Sequence, residues 1–460
     1  MLRAWQKECV ELALEKYLSG QEHFLSQATP GAGKTVMAAE LASQLFELDE
    51  IDLVLCFSPS LSVAENMKET FAWKLNCVFD GTLGAIGGSY TYQSLKFLGQ
   101  GYWKAVSKYR ILVVFDEIHH CSADDDGRMN VWGEQIISNI QSRAKYTLAL
   151  TGTPWRSDSV PIAMAKYTDP EGHIICDYQY SLSQAVRDKV CRSPKLVLVD
   201  NDHLTVKERG ETKSFSSIFE LLKQSSASYQ QVIHNPQAIR YILSLACDKL
   251  SAIRTINPNA GGLIVAASVK HAEYIQKLLV EEFGQTAALV TYQHDSPLKI
   301  IDQFRNDSSQ WIVSVGMISE GTDIPRLQVC CHLSAVKTEL YFRQVLGRIL
   351  RVNDSLNQEA WLYTFAEENL VGFAERIEQD IPETCQFVRF TDKESKADIP
   401  AIELKSNRLV ESNSSKSAIP SSALVWNSTL PSVDTDAGRL SERDLLSLGQ
   451  FRQRVIAAFL

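Results

Sequence analysis

The sequence carries no excess of basic charge. Its 460 residues hold 46 Lys and Arg against 55 Asp and Glu, a formal net charge of -9. A body that gathers polyanions by overall charge is excluded, while a local basic channel on an acidic body stays compatible with this balance. Among its ten cysteines no Cys-x-x-Cys pair occurs, which argues against a zinc ribbon. Several of them sit inside apolar runs, Cys56 within Leu53–Phe57 and Cys330-Cys331 before His332. They read as reduced core cysteines of a cytosolic protein. No apolar stretch reaches the length of a bilayer span, and the first residues form a polar helical pattern in place of a charged-then-apolar leader. A soluble, cytoplasmic chain without a membrane partner is expected. Apolar residues at 45% and charged residues at 22% are ordinary values, so a chain of this length can bury two to four cores.

What is present is alternation. Phe24-Leu25 leads into a Gly-rich loop, and Val36 to Leu48 follows with helical spacing. The apolar runs Leu53–Phe57, Ile111–Phe115 and Tyr146–Leu150 end on Ser58-Pro59, Asp116-Glu117 and Thr151-Gly152-Thr153-Pro154. Near-continuous apolar strands between helices predict a parallel sheet covered on both faces, with ligands gathering at the carboxyl ends of its strands. A polar stretch from about 200 to 235 reads as a loop with connecting helices. The alternation then restarts: strands at Leu263–Ala267, Ala287–Val290, Trp311–Val315, Gln328–Leu333 and Trp361–Tyr363, helices at Lys270–Val280 and Thr338–Leu350. The expected layout is a first α/β unit over 1–200, a connecting segment over 201–240, a second α/β unit over 241–390, and a linker with a C-terminal helix over 391–460. Within that tail, 407–422 is rich in Ser and Asn and predicts a flexible linker. Ser441 as N-cap with Leu445, Leu448, Val455, Ile456 and Phe459 predicts an amphipathic helix, packed on its own chain or docking a partner.

Three clusters carry chemistry. Ala28-Thr29-Pro30-Gly31-Ala32-Gly33-Lys34-Thr35 follows a strand and opens a helix, the setting of a phosphate loop. Glycines let backbone N–H groups approach phosphate oxygens, and the helix N-terminus adds partial positive charge. Lys34 suits the β and γ phosphates and the Thr35 hydroxyl suits a magnesium shell; the position before Thr29 is Ala where the general pattern has Gly. Asp116-Glu117-Ile118-His119 ends an apolar strand on two carboxylates. Asp116 is expected to hold Mg2+ and Glu117 to act as general base toward water. His119 and His120 are more ambiguous, since a histidine after a strand is commonly a hydrogen-bonded core residue. Gln344, Arg348 and Arg351 are spaced by four and three and so share one helix face. Arginines there are suited to a phosphate held by the other unit.

Taken together, the sequence resembles a superfamily 2 helicase, and more narrowly the restriction-enzyme-type branch of the DEAD/H-box motors, from Leu2 to about Phe365. The resemblance implies two tandem RecA-like parallel-sheet domains with an ATP cleft between them. It makes Leu2-Arg3-Ala4-Trp5-Gln6 similar to an adenine-reading element with Gln6 in the reading position. Thr91-Tyr92-Gln93-Ser94-Leu95 resembles a strand-contacting motif, and Thr151-Gly152-Thr153-Pro154-Trp155-Arg156 one that couples hydrolysis to movement. Tyr178-Gln179-Tyr180-Ser181-Leu182 looks like the segment that closes the first domain. Ser319-Glu320-Gly321-Thr322-Asp323-Ile324-Pro325 resembles a motif that touches ribose and nucleic-acid backbone, and Gln344 to Arg351 an arginine-finger motif.

These expectations combine into an ATP hydrolase. Thr29 to Thr35, with Gln6, Gly321 and Asp323, would hold ATP. Lys34, Asp116, Glu117, His119, Gln344, Arg348 and Arg351 would act on it, with Mg2+ on Thr35 and Asp116. Nucleotide binding would close the two units and hydrolysis release them, so that a strand lying across both is gripped in turn. Ser58, Thr91, Gln93 and Thr322 are the candidate nucleic-acid contacts. The wording of the motifs favours DNA over RNA, and a role as motor component of a DNA-processing or antiviral defence assembly with a nuclease partner is expected. An RNA remodeller and a nucleotide-gated clamp that does not translocate are the alternatives.

Overall fold

The structure is a computed structural model that describes residues 2–82, 84–121, 140, 143–152, 166–167, 174–208, 211–318, 322–379, 386–390, 423–425 and 451–457. The first α/β unit is built on β1 (His23–Ala28), β2 (Leu53–Ser58), β3 (Gly87–Thr91), β4 (Ile111–Phe115) and β5 (Tyr146–Thr151). A two-residue antiparallel pair, β6 (Lys166–Tyr167) with β7 (Ile174–Ile175), precedes β8 (Tyr178–Tyr180). The six-stranded sheet runs β3-β2-β4-β5-β1-β8 and is parallel throughout. Both of its faces are buried, as continuous apolar strands require. Phe24, Val54, Cys56, Leu112 and Val114 enter one core, with helices α1 (Ala4–Leu18) and α2 (Lys34–Glu47). Their neighbours Leu25, Leu55, Phe57, Val113 and Phe115 enter the other, with Tyr92, Trp103 and Ile118.

Register decides what meets at the carboxyl edge. Gln27 of β1 is opposite Thr151 of β5, and Phe115 of β4 is opposite Ala149 of β5. The turns after β1, β4 and β5 therefore emerge side by side. Trp5 of α1 stacks on Tyr180 of β8 at 4.9 Å between ring centroids, which fixes the N-terminal helix beside the same edge.

The second unit is an eight-stranded sheet of order β13-β14-β12-β15-β16-β9-β19-β17. Its parallel part comprises β9 (Ser193–Asn201), β12 (Gly261–Ala266), β13 (Ala287–Val290), β14 (Trp311–Ser314), β15 (Leu327–Leu333) and β16 (Glu359–Phe365). The expected strands and helices of both units are present within a few residues of the bounds read from the sequence. Three features differ. The expected unit boundary at 200 falls inside β9, which pairs with β16 over Glu359↔Ser193 to Phe365↔Val199 and so belongs to the second sheet. The expected loop after residue 200 contains an antiparallel hairpin, β10 (Leu204–Glu208) with β11 (Glu211–Phe215), ahead of helices at 218–224, 229–234 and 236–254. Leu204, Val206 and Phe215 bury one face of it while Thr212, Lys213 and Ser214 face solvent.

The third difference is in the tail. Residues 451–457 form a strand, β19 (Phe451–Ala457), where a helix was expected. It pairs antiparallel with β9 on one side and with β17 (Gln386–Phe390) on the other, burying Val455 and Ile456. The open edge of β9 supplies backbone partners for all of its residues, and that outweighs the helical spacing of its apolar positions. The remaining expected helix positions, Ser441, Leu445, Leu448 and Phe459, and the expected linker at 407–422 lie outside the described residues. Just beyond that linker, β18 (Ala423–Val425) pairs with β10. Among the described residues no helix is long and apolar enough to cross a membrane.

Candidate functional site

The loop between β1 and α2 is shaped by two glycines in the left-handed region, Gly31 (φ +84°) and Gly33 (φ +92°), the second being the N-cap of α2. An L side chain is strained at either position. Thr29 and Ala32 are buried and close the loop from within, the Ala32 N–H donating to the Thr29 carbonyl at 3.1 Å and the Thr29 N–H to Tyr180 at 3.1 Å. The outer side of the loop forms one wall of a cavity of about 480 Å³. Pro30, Gly31, Gly33, Lys34, Thr35, Asp116 and Glu117 line it from the first unit, and Thr322, Asp323, Arg348 and Arg351 from the second. Residues separated by more than 300 positions thus meet as the expected cleft.

The charges in the cavity already answer one another. The Lys34 ammonium lies 3.1 Å from Glu117 Oε1 and donates to the Ala28 carbonyl at 3.3 Å. Glu117 Oε2 accepts the Gly152 N–H at 3.0 Å and lies 3.4 Å from His119 Nδ1. Burial pushes the Glu117 carboxyl up, but Lys34, His119 and the Gly152 N–H outweigh it and hold the group well below the ordinary carboxylate range. Glu117 is also in the left-handed region, at φ +50°. His119 is buried outside the cavity lining and meets the Thr151 hydroxyl at 3.1 Å, so it ties the Asp116–Glu117 turn to the end of β5.

Across the cavity, Arg348 donates to the Thr322 carbonyl at 2.8 Å and to the Gln344 carbonyl at 3.3 Å. Arg351 pairs with Asp323. The arginine helix spans Glu339–Ile349, so Arg351 lies past its end, and the shared helix face read from spacing covers Gln344 and Arg348 only. Arg351 is placed instead by an antiparallel bridge between its backbone and Cys191, in the segment that joins the two units. Gln344 contributes its main chain here and does not line the cavity. Gly321 lies outside the described residues, as do Thr153 to Arg156.

Gln6 is set differently from expectation. It is buried behind the loop, its amide donating to the Gly33 carbonyl at 2.9 Å and its Oε1 accepting the Arg3 N–H at 2.8 Å. The cavity lining at that end includes Arg3, whose guanidinium donates to the Ala32 carbonyl at 2.6 Å. Of the nucleic-acid candidates, Ser58 and Thr91 are register partners at the ends of β2 and β3, and Gln93 is exposed on the next turn. Ser58 is buried and its hydroxyl donates to the Ser60 carbonyl at 3.2 Å, so it faces inward. Thr322 is likewise buried, its hydroxyl on the Ile318 carbonyl at 3.4 Å, in the cavity wall and not with the other three.

Two residues have a place here that sequence reasoning missed. Gly347 on the arginine helix faces Pro30 of the loop, and a Cβ at 347 would lie 2.6 Å from the Pro30 Cβ. Arg192 is fully buried below Arg351, donating to the carbonyls of Pro325 (2.9 Å), Ile349 (3.3 Å) and Leu327 and to Gln358 Oε1 (3.4 Å), while its N–H donates to Leu350 at 2.7 Å. One guanidinium therefore gathers the cavity segment at 322–327, the end of the arginine helix and the joining segment. The signal for Gly347 was its place inside the arginine motif; Arg192 had none, since beside Ser193-Pro194 it reads as a surface cation.

Thr35 and Asp116 bring a hydroxyl and a carboxylate to a cavity that also holds one lysine and three arginines, Lys34 with Arg3, Arg348 and Arg351. This oxygen donor set fits a hard divalent cation accompanying a polyphosphate. Conversely, the cations fit the phosphates themselves.

Comparison with known proteins agrees with this geometry. Residues 1–156 match the family described as type III restriction enzyme, res subunit, and residues 245–353 match the helicase conserved C-terminal domain. An uncharacterized protein of Mycobacterium leprae is 30% identical over 395 residues, covering 82% of this chain and 64% of that protein. The chain thus spans just under two thirds of the length of this mycobacterial relative. The DNA 3'-5' translocase XPB2 of Sulfurisphaera tokodaii is 24% identical over 390 residues, 77% of this chain and 79% of that one. A solved fragment described as an HsdR subunit of a type I restriction enzyme from Vibrio vulnificus superposes with a TM-score of 0.55 at 16% identity, over 81% of this chain and 65% of that chain, a likeness of fold. The two family matches occur in order along one chain and their residues meet at one cavity, which supports a superfamily 2 helicase of the restriction-enzyme type.

Proposed function

We propose that the chain is an ATP-driven motor on nucleic acid, with DNA as its track. Its helicase domains imply ATP hydrolysis coupled to helicase or translocase action. The observation that carries the finer reading is the shared cavity, with Lys34, Thr35, Asp116 and Glu117 on one side and Arg348 and Arg351 on the other. A nucleoside triphosphate seated there is the one group both units touch, so its binding favours closure and its hydrolysis removes the reason to stay closed.

In this reading the triphosphate takes Lys34 away from Glu117. The freed carboxylate, still oriented by the Gly152 N–H, accepts a proton from the water that attacks the γ-phosphorus. The bond to the β-phosphate oxygen breaks and phosphate leaves with ADP. Arg348 and Arg351 meet the charge that builds on the transferred group. Thr35 and Asp116 would hold Mg2+, which would supply charge neutralisation of the phosphates. Arg3 stands at the cavity edge beside the loop, and Gln6 braces the loop from behind; a direct contact of Gln6 with adenine would need its amide to leave Gly33. Thr91 and Gln93 offer the first unit's contacts to the strand, which predicts salt-sensitive binding with little sequence preference.

DNA is preferred over RNA because the relative from Sulfurisphaera is described as a DNA translocase and matches most of both chains. Service as motor component beside a DNA-cleaving partner follows the same direction, and co-purification tests it. Docking through a C-terminal helix is set aside, since 451–457 is a strand inside the second sheet. The test of the reading is steady-state ATP hydrolysis with duplex DNA, single-stranded DNA and RNA, each beside Lys34→Ala. Stimulation is expected, greatest with DNA and absent in Lys34→Ala. No stimulation by any of the three would overturn it.

A further inference from the structure

We propose that Tyr92 is a positioning residue that carries the state of the strand-facing segment 91–95 to the backbone of Glu117. The inference rests on the function proposed above and adds a route by which nucleic acid would raise the hydrolysis rate.

Tyr92 sits between two residues of opposite exposure to itself. Thr91 is half-buried at the end of β3 and Gln93 is exposed, while the Tyr92 ring is fully buried among Phe57, Phe115 and Ile118. The segment is a tight 3-10 turn over Tyr92–Phe97, closed by the Ser94 hydroxyl on the Thr91 carbonyl at 2.6 Å. That bond joins Thr91 to Ser94, so the residues on both sides of Tyr92 are held in one turn. A displacement at Thr91 or Gln93 must reach the Tyr92 ring.

The other end of the ring is what gives that displacement a destination. The Tyr92 hydroxyl donates to the backbone carbonyl of Asp116 at 2.7 Å, across 24 positions of sequence. The Asp116 N–H donates to the Phe57 carbonyl at 2.8 Å. Both polar groups of residue 116 are therefore tied to the β2–β3 side of the sheet. The tied carbonyl belongs to the peptide plane between Asp116 and Glu117, whose orientation is set by the ψ of Asp116 together with the φ of Glu117. That φ is +50°, a left-handed value that a non-glycine residue keeps only where its surroundings impose it. Tyr92 thus acts on the backbone of Glu117, while Lys34 and Gly152 act on its carboxylate. Two independent controls meet at one residue.

The test is Tyr92→Phe in the full chain, which removes one oxygen and keeps the buried ring. Steady-state hydrolysis is measured with and without whichever of duplex DNA, single-stranded DNA or RNA stimulates the wild type most. Affinity for the same labelled strand is measured by fluorescence anisotropy. The expected result is a ratio of stimulated to basal kcat lowered about fivefold, the change that loss of one ordinary hydrogen bond produces, with strand affinity and the KM for ATP retained. A general structural role of the hydroxyl bond would lower basal and stimulated turnover together and leave their ratio unchanged, which would overturn the proposal. So would a loss of strand affinity that parallels the loss of stimulation, because Tyr92 would then belong to the binding surface. A wild type that no nucleic acid stimulates overturns the motor reading and this coupling with it. A stimulated wild type beside an equally stimulated Tyr92→Phe overturns the coupling alone.

Discussion

Gly347 of the arginine helix rests directly on Pro30 of the phosphate loop, at a place where even a methyl group would come within 2.6 Å of the Pro30 Cβ. The two units thus approach through a missing side chain. Gly347→Ala separates two effects that usually go together. In the helix interior, alanine is favoured over glycine by roughly 0.5–1 kcal/mol. Against Pro30 the added methyl overpacks, at a cost of about 1–3 kcal/mol, but only when the units are closed. The melting temperature of the nucleotide-free protein is therefore expected to hold or rise slightly, with kcat down about tenfold or more. Unchanged turnover would mean that this contact is not part of the closed state. Differential scanning fluorimetry with steady-state kinetics decides it.

Glu117→Gln keeps a side chain of the same shape and loses the charge that holds Lys34. ATP is expected to bind at least as tightly as in the wild type, because Lys34 no longer has to be drawn from a carboxylate. Turnover should fall by about 10²–10⁴-fold, the usual contribution of a general base. Equilibrium binding of a fluorescent ATP analogue and single-turnover hydrolysis measure the two effects. Normal hydrolysis would remove Glu117 from the role of base.

The same pair predicts a pH signature. In the free enzyme, Lys34, His119 and the Gly152 N–H hold the Glu117 carboxyl below the ordinary range despite its burial, so it stays ionised as the pH falls until that lowered value is reached. Bound triphosphate withdraws Lys34 and brings negative charge, and both changes raise the carboxyl. The acidic limb of kcat, which reports the complex, should lie at higher pH than the acidic limb of kcat/KM, which reports the free enzyme. Rate profiles corrected for the titration of ATP itself give both limbs. Coincident limbs, or the reverse order, would show that Lys34 does not change partners.

Arg192 gathers the carbonyls of Pro325, Leu327 and Ile349 beneath Arg351. Burial brings its guanidinium down to about 10, still charged at neutral pH. Arg192→Met strands these acceptors at about 1–3 kcal/mol each where water cannot replace the donor. A clear drop in melting temperature is expected, with turnover falling more than ATP affinity because the lost contacts hold the segments that carry Asp323, Arg348 and Arg351. Arg192→Lys should recover part of both. An Arg192→Met protein with wild-type stability and turnover would contradict this placement.

Strand and loop chemistry of the cavity could be read from the sequence where one local pattern sufficed. Ile111–Phe115 and Ala287–Val290 are strands with the bounds their apolar runs give. Lys34, Thr35, Asp116 and Glu117 meet because parallel strands end together. Other features depended on partners that no local pattern names. Phe451–Ala457 has spacing compatible with a helix, and only the open edge of β9 makes it a strand. The β10–β11 hairpin alternates weakly because Thr205 is buried on its polar face while Lys213 is exposed on the face of Val206 and Phe215. Gly347 carries no side chain to announce a contact. Gln6 was placed in the adenine-reading position by resemblance, whereas its amide is engaged with Gly33 and Arg3. Ser58 offered a hydroxyl in the right order along the chain, but burial turned it onto Ser60.

The central claim, that hydrolysis in the shared cavity drives movement along a strand, is tested most directly by displacement of a labelled third strand from duplex DNA. The third strand is placed at increasing distances from the loading end. The account predicts ATP-dependent release after a lag that lengthens in proportion to that distance, and no release with Glu117→Gln. Hydrolysis and DNA binding without release, or a lag independent of distance, would contradict movement and leave a nucleotide-gated clamp.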